Sequence, residues 1–155
     1  MRVAVSSDHR GFGVKSKLKA VLAKANHTIH DFGCDSSKSC DYPDLAIPAA
    51  QGVSSGEFDT AILFCGTGIG MSISANKVSG IRAAVCHDEV TVELARKHND
   101  ANVLCLPADL VNEKQLLRMV DIWLRTEFEG GRHARRVGKI ADYESAACAS
   151  QEATG

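Results

Sequence analysis

The sequence predicts an α/β fold, a three-layer, doubly wound, Rossmann-like sandwich around a five-stranded parallel sheet. Short apolar runs alternate with segments of helical composition along the chain, which is the pattern of repeated βαβ units. The chain has 155 residues, 45% of them hydrophobic and 5% aromatic, which is enough to bury one core. We therefore expect a single domain over residues 1–148 and a disordered tail over residues 149–155.

The predicted strands and helices follow one another in order. Each strand is a run of mostly apolar residues that is too short for a stable helix, and each helix mixes apolar and polar positions. Right-handed crossovers then make the strands parallel. The predicted strands are Val3–Ser7, Thr28–Phe32, Thr60–Phe64, Ile81–Cys86 and Val103–Leu106, and the predicted helices are Val14–Ala25, Leu45–Val53, Ile69–Lys77, Thr91–Lys97 and Gln115–Phe128.

The C-terminal segment differs from the rest because no strand follows it. Glu129-Gly130-Gly131 breaks the preceding helix, and Arg132–Ala147 restarts as an amphipathic helix. With no further strand to cover, we expect this helix to dock on a neighbouring subunit. Its apolar side carries Val137, Ile140, Tyr143 and Ala147.

Charge and cysteine content exclude several classes of protein. A net charge of -1 argues against a general nucleic-acid binder, which needs a broad basic surface. No apolar run reaches the roughly 18 residues that span a bilayer, and the first residues read as a strand rather than a signal peptide. We therefore expect a cytoplasmic protein with a small partner. The cysteines at positions 34, 40, 65, 86, 105 and 148 form no C-x-x-C pair, so reduced thiols are expected.

The most informative motif places a lone thiol, Cys65, between an apolar strand and a glycine-rich turn. The glycines let the backbone approach a ligand closely, and the free amides at the start of the next helix favour an anion. A thiol at a helix N-terminus ionises more readily than a free one. Cys65 is therefore a candidate base or nucleophile. The alternative, a buried cysteine beside a packing turn, stays open at this point.

Three further groups of polar residues could act in a site, and each also has a structural interpretation. Asp8 and His9 follow the first strand, where Asp8 could equally cap the next helix. His98 could move a proton near neutral pH, or could simply favour a helix C-terminus. Arg132 and Arg136, at i and i+4, suit a phosphate or carboxylate, but such a pair is also common on a solvated basic helix.

Six motifs follow one another along nearly the whole chain: Ser7-Asp8-His9, Asp41-Tyr42-Pro43, the stretch from Cys65 to Lys77, Gly80 to Ala84, His98 to Val103, and Phe128 to His133 with Arg136. In this order they resemble the ribose-5-phosphate isomerase B family, which also includes galactose-6-phosphate isomerase subunits.

The resemblance implies an isomerase that interconverts ribose 5-phosphate and ribulose 5-phosphate through a cis-enediolate, without a metal or organic cofactor. Cys65 matches the family's base, and Met71 occupies the place of a glutamate that serves as base in another branch. Thr67 matches a position proposed to shuttle the hydroxyl proton, and His98 matches the acid that opens the sugar ring.

The resemblance also implies how the substrate is bound. In the family the pocket lies at a dimer interface, with the His98 side and the C-terminal arginines reaching toward the neighbour's cysteine loop. We therefore expect a homodimer or a dimer of dimers. The implied substrate contacts are His9, Arg132 and Arg136 to phosphate, Asp8 and Asn99 to sugar hydroxyls, Tyr42 in the pocket wall, and the backbone of Gly66, Gly68, Ile69 and Gly70 around the developing oxyanion.

One position departs from the family. Members often carry a phosphate-binding arginine after the fifth strand, whereas this chain has Asp109. Either Asp109 points away and Arg10 or Arg132 compensates, or the preferred phosphosugar differs, with four or six carbons. A non-catalytic phosphosugar-binding subunit is a further alternative.

Two other enzyme classes fit the glycine-rich turn poorly. A dinucleotide-binding oxidoreductase needs G-x-G-x-x-G after the first strand, but this turn follows the third and has Met71 in place of the last glycine. A cysteine phosphatase needs an arginine in the loop, and the segment from Cys65 to Met71 has none.

Overall fold

The computed structural model describes residues 1–152 and contains five strands and six helices. The strands are β1 (Arg2–Ser7), β2 (Thr28–Asp31), β3 (Thr60–Cys65), β4 (Ala83–Val85) and β5 (Val103–Pro107). The helices are α1 (Phe12–Lys24), α2 (Pro43–Ser54), α3 (Ile69–Ala75), α4 (Glu89–Asn99), α5 (Glu113–Arg125) and α6 (Gly131–Glu152).

All strand pairs in the sheet are parallel, and the strand order is β2-β1-β3-β5-β4. The predicted fold is therefore confirmed. The chain order reverses direction between β1 and β3, which is where ligands gather in open sheets of this kind. In register, Ser7 pairs with Phe64 and Cys65 pairs with Pro107, so the ends of β1, β3 and β5 meet at one edge of the sheet.

The two faces of the sheet bury two separate cores. One core packs α1, α4 and α5 against branched and aromatic residues such as Ile62, Phe64 and Leu104. The other packs α2 and α3 against the alternate strand positions, where alanines such as Ala4 and Ala61 let the helices approach closely. Because side chains alternate along a strand, Cys65 belongs to this second face.

A buried lysine stabilises the end of β2. Lys15 on α1 is only 1% exposed, and its Nζ lies 2.5 Å from Asp31 Oδ1 and 2.8 Å from the Cys34 carbonyl oxygen. Burial by itself would raise the pKa of Asp31, but the hydrogen bonds from Lys15 and Lys19 lower it below its ordinary value.

Element ends differ from the predicted ones by a few residues. Helix α5 ends at Arg125 rather than Phe128, because Thr126 adopts an extended backbone. Helix α6 extends to Glu152, so residues 149–152 of the predicted tail are helical, and residues 153–155 lie outside the described chain. Among the described helices none is long and apolar enough to cross a membrane.

Candidate active site

Cys65 lies at the end of β3 with its thiol almost completely buried, and the turn that follows directs an amide toward it. The Gly68 N–H donates a hydrogen bond to Cys65 Sγ at 3.1 Å. This contact requires glycine at position 68, because the residue has φ +77° and a Cβ there would lie 3.2 Å from Val85. The turn therefore fixes the sulfur of Cys65 with a backbone N–H directed at it.

The remaining residues of the turn contact one another and Tyr42. Thr67 is exposed, and its Oγ1 accepts a hydrogen bond of 3.3 Å from the Ile69 amide. Gly70 lies under the ring of Tyr42, since a Cβ on Gly70 would be 2.8 Å from Tyr42 Cε2. The Tyr42 ring therefore covers the turn at Gly70.

The loop after β1 supplies Asp8 and His9 to the same edge of the sheet. The Asp8 amide donates to the Phe64 carbonyl at 3.0 Å, which fixes this loop against the end of β3. The buried Asp8 carboxylate accepts from the amides of Arg10 and Gly11, so it stabilises the turn before α1, while Gly11 is the cap residue. His9 Nδ1 lies 3.4 Å from the amide nitrogen of Cys40.

Asp109 does not point away from this site. Its carboxylate lies beside Gly66 and forms an ion pair with Arg10, whose Nη2 is 2.6 Å from Asp109 Oδ2. Of the two explanations for the missing arginine, the structure therefore removes the outward-pointing Asp109. Arg132 does not take part in this pair.

A second group of polar residues surrounds His98 in the last turn of α4. The rings of His98 and His133 are stacked, with centroids 4.2 Å apart and an interplanar angle of 2°. Glu129 Oε2 lies 3.9 Å from His98 Nε2 and 3.8 Å from His133 Nε2. Burial lowers the pKa of His133, and the charges of His98 and Arg132 lower it further.

Two arginines at the start of α6 have no acidic partner in the described part of the chain. Arg132 and Arg136 are exposed on the first turns of α6, and neither forms an ion pair with a described residue. Asn99, the last residue of α4, is exposed, and its carbonyl accepts from Arg82 Nε at 3.1 Å. This surface has the free cationic groups that an anionic ligand needs.

Within one chain, the Cys65 group and the His98 group lie at opposite ends of the strands. Cys65 is level with Pro107 at the carboxyl end of β5, whereas Asn102, four residues after His98, contacts Thr60 at the amino end of β3. The four register steps from Val103 to Pro107 correspond to about 13 Å at about 3.3 Å per residue. One chain therefore does not bring Cys65 and His98 together.

His98, Glu129 and His133 also form a group that could hold a metal ion, with ligand atoms within 4.8 Å of one another. The geometry fits a metal poorly, because an ion between two parallel stacked rings would lie outside the plane of each. Arg132 Nε lies 3.4 Å from His133 Nε2, which adds a fixed positive charge. The stacked rings and the nearby arginine therefore disfavour a metal ion in this group.

The other buried thiols differ from Cys65 in their surroundings. Burial raises the pKa of Cys86 to about 11 and raises that of the fully buried Cys105 well above its ordinary value. All six cysteines are free, as the sequence predicted. Cys86 and Cys105 therefore stay protonated and act as core residues.

Sequence reasoning gave no role to several residues that the structure places in these groups. Glu129 and His133 lie in the motif from Phe128 to His133, and their spacing of four residues could have indicated that they share one face of a helix. The contact between Arg10 and Asp109 joins positions 99 residues apart, and no local pattern could have shown it.

The fold and the site define a class of protein: an α/β enzyme with a thiol beside a glycine-rich turn and a separate cluster of histidine and arginine. The sequence model of the ribose/galactose isomerase family matches residues 3–140. The chain therefore belongs to that family, and it is a sugar-phosphate isomerase.

Similar proteins come from several bacteria. A putative sugar phosphate isomerase of Bacillus subtilis (strain 168) is 49% identical over 145 residues, which cover 93% of this chain and 97% of that protein. The structure of Clostridium thermocellum ribose-5-phosphate isomerase B is 46% identical, with a TM-score of 0.92 over 95% of this chain and 99% of that one. The structure of Mycoplasma genitalium ribose-5-phosphate isomerase B with bound ribulose-5-phosphate is 40% identical, with a TM-score of 0.90 over 93% and 96%.

Proposed function

We propose that this protein interconverts ribose 5-phosphate and ribulose 5-phosphate through a cis-enediolate, with Cys65 as the base. The observation that carries the proposal is the Gly68 amide hydrogen bond to the nearly buried Cys65 thiol. The thiolate would take the proton from the carbon next to the carbonyl and return it to the neighbouring carbon. No other atom is gained or lost, so no redox partner is needed.

The turn after Cys65 would stabilise the negative oxygen that develops in this reaction. The amides from Gly66 to Gly70 are fixed by the turn, and one such donor can be worth about 3 to 4 kcal/mol of barrier. Thr67 is exposed beside them and would move the proton between the two oxygens. Tyr42 would form the wall against which the sugar packs.

The His98 group would complete the site from a second subunit. His98 would protonate the ring oxygen and open the cyclic sugar, and Asn99 and Asp8 would bind sugar hydroxyls. Arg132 and Arg136, which lack ion pairs among the described residues, would bind the phosphate together with His9. Binding the remote phosphate would orient the reacting carbons over Cys65.

A homodimer with shared sites follows from this arrangement. A proton donor must come within about 3 Å of its target, whereas Cys65 and His98 of one chain lie at opposite edges of the sheet. Exposed apolar residues on α3 and α6 are consistent with a covered surface: Ile73 is 58% exposed, Ile140 56% and Tyr143 78%. We propose that α6 docks on the neighbouring subunit, as the sequence predicted.

The test is isomerisation of ribose 5-phosphate by the wild-type protein and the Cys65→Ala variant. We expect wild-type turnover, its loss in Cys65→Ala, and retained binding of ribose 5-phosphate measured by calorimetry. Turnover that survives in Cys65→Ala would remove Cys65 from the role of base. Arg136→Ala should raise the KM, because it removes a phosphate contact, and an unchanged KM would place the phosphate elsewhere.

A second candidate substrate is favoured by the Arg10–Asp109 pair, which changes the charge beside the cysteine turn. The same assay should therefore include phosphosugars of four to six carbons. Activity on another sugar alone would keep the mechanism and change the substrate. Silence with every sugar would favour a phosphosugar-binding subunit.

A further inference from the structure

An ion pair that no sequence motif indicated lies directly on the cysteine turn. Both Nε and Nη2 of Arg10 lie 2.6 Å from Oδ2 of Asp109. The pair is partly open to solvent, with 55% of the Arg10 side chain and 34% of the Asp109 side chain exposed. Such exposed pairs contribute little to stability, so stability alone does not account for its placement.

The pair connects the ends of three strands. The Arg10 amide donates to Asp8 Oδ1 at 2.8 Å, which anchors Arg10 to the loop after β1. The Asp109 amide donates to the Gly66 carbonyl at 3.1 Å, and a Cβ on Gly66 would lie 2.6 Å from Asp109 Oδ2. The guanidinium is therefore held over the turn that begins at Cys65.

One edge of the guanidinium remains available. Nε and Nη2 bind Asp109, while Nη1 has no hydrogen-bond partner among the described residues. The hydrogen bond and charge of Asp109 raise the pKa of Arg10, so the group stays charged. A guanidinium whose orientation is already fixed loses little entropy when it binds a second anion through its open edge.

We infer that Arg10 is a substrate-binding residue that contacts the anionic group of the sugar phosphate, and that Asp109 is its positioning residue. The inference rests on the proposed function, because it places an anionic substrate over the Cys65 turn. It also predicts that Asp109 weakens substrate binding when its arginine partner is missing. If Arg10 were removed, the carboxylate would remain beside Gly66 and would repel the substrate.

The test compares Arg10→Ala, Asp109→Asn and the double variant with a matched control. Arg2→Ala is that control, because Arg2 forms an ion pair with Asp59 at the same distance, 2.6 Å, and with similar exposure, 52% and 35%, at the amino end of β1. The measurements are KM and kcat for ribose 5-phosphate, the inhibition constant of inorganic phosphate, and thermal unfolding.

We expect Arg10→Ala to raise both KM and the phosphate inhibition constant about tenfold, with kcat nearly unchanged, since a hydrogen bond to a charged group is lost. Asp109→Asn in the Arg10→Ala background should lower both values again, because it removes the unpaired carboxylate. Arg2→Ala should change neither value. Arg10→Lys should recover part of the loss, since it keeps the charge without the planar fork.

A role limited to tying the strand ends would give the opposite pattern. Arg10→Ala and Asp109→Asn would then lower the unfolding temperature equally and leave KM and the phosphate inhibition constant unchanged, which would overturn the inference. Direct calorimetry of inorganic phosphate separates this failure from failure of the proposed function. A wild-type protein without isomerase activity refutes the function, while phosphate affinity that is equal in wild type and Arg10→Ala refutes the role of Arg10.

Discussion

The separation of Cys65 and His98 within one chain predicts that two inactive variants complement each other. The perturbation is a heterodimer in which one subunit carries Cys65→Ala and the other carries His98→Asn. The amino and carboxyl ends of β5 are four register steps apart, which corresponds to about 13 Å. General acid catalysis needs contact at about 3 Å. Under the proposed function, each site then combines Cys65 of one subunit with His98 of the other.

The expected magnitude follows from counting sites in the heterodimer. One site carries both substitutions and is inactive, whereas the other combines an intact Cys65 with an intact His98. The heterodimer should therefore show about half of the wild-type kcat, since a two-fold symmetric dimer has two equivalent sites. The homodimers of each variant supply the residual activity to be subtracted.

The assay uses co-expression with two affinity tags, tandem purification of the heterodimer, and initial rates of ribulose 5-phosphate formation at saturating ribose 5-phosphate. A control heterodimer gives the opposite result for shared sites and for sites within one chain. A subunit that carries both substitutions, paired with a wild-type subunit, should be nearly inactive if sites are shared, but half active if each site lies within one chain. Half activity in that control, with none in the complementing pair, would refute the reasoning.

Two further predictions concern stability. Asp31→Asn leaves the buried Lys15 ammonium without its carboxylate and should lower the free energy of unfolding by about 3 kcal/mol in urea titrations, whereas Asp59→Asn in an exposed pair should cost about 1 kcal/mol or less. Because the pKa of Asp31 is lowered from 3.8 on folding, its contribution is present above that value and is lost as the pH falls below it, so the deficit of Asp31→Asn should shrink in acid; a deficit that is constant with pH would contradict this. Gly68→Ala forces a side chain into a left-handed backbone conformation, so it should lower the free energy of unfolding by about 1 to 2 kcal/mol and should also lower kcat. Gly138→Ala, where a Cβ meets nothing within 4 Å, should instead stabilise α6 by about 0.5 to 1 kcal/mol. Equal effects of the two glycine substitutions in thermal unfolding would show that the turn tolerates a side chain.

Most of the fold could be predicted from local patterns. The runs around Val5, Ile62 and Leu104 are apolar on both faces because these central strands are covered by helices on both sides, and such runs are recognisable in sequence. The ends of α5 and α6 were harder to predict from the sequence, because they depend on the backbone conformation at Thr126 and on contacts made after folding. Prediction of the elements therefore succeeded where burial sets the pattern.

The candidate site divides in the same way. The sequence by itself determined the Cys65 turn, since a thiol, a strand end and the glycines are consecutive and their chemistry is local. Only the tertiary structure decided that Tyr42 covers Gly70, that His133 stacks on His98, and that Asp109 holds Arg10 over Gly66. These contacts join distant parts of the chain, and their geometry is set by how the strand ends meet at the edge of the sheet.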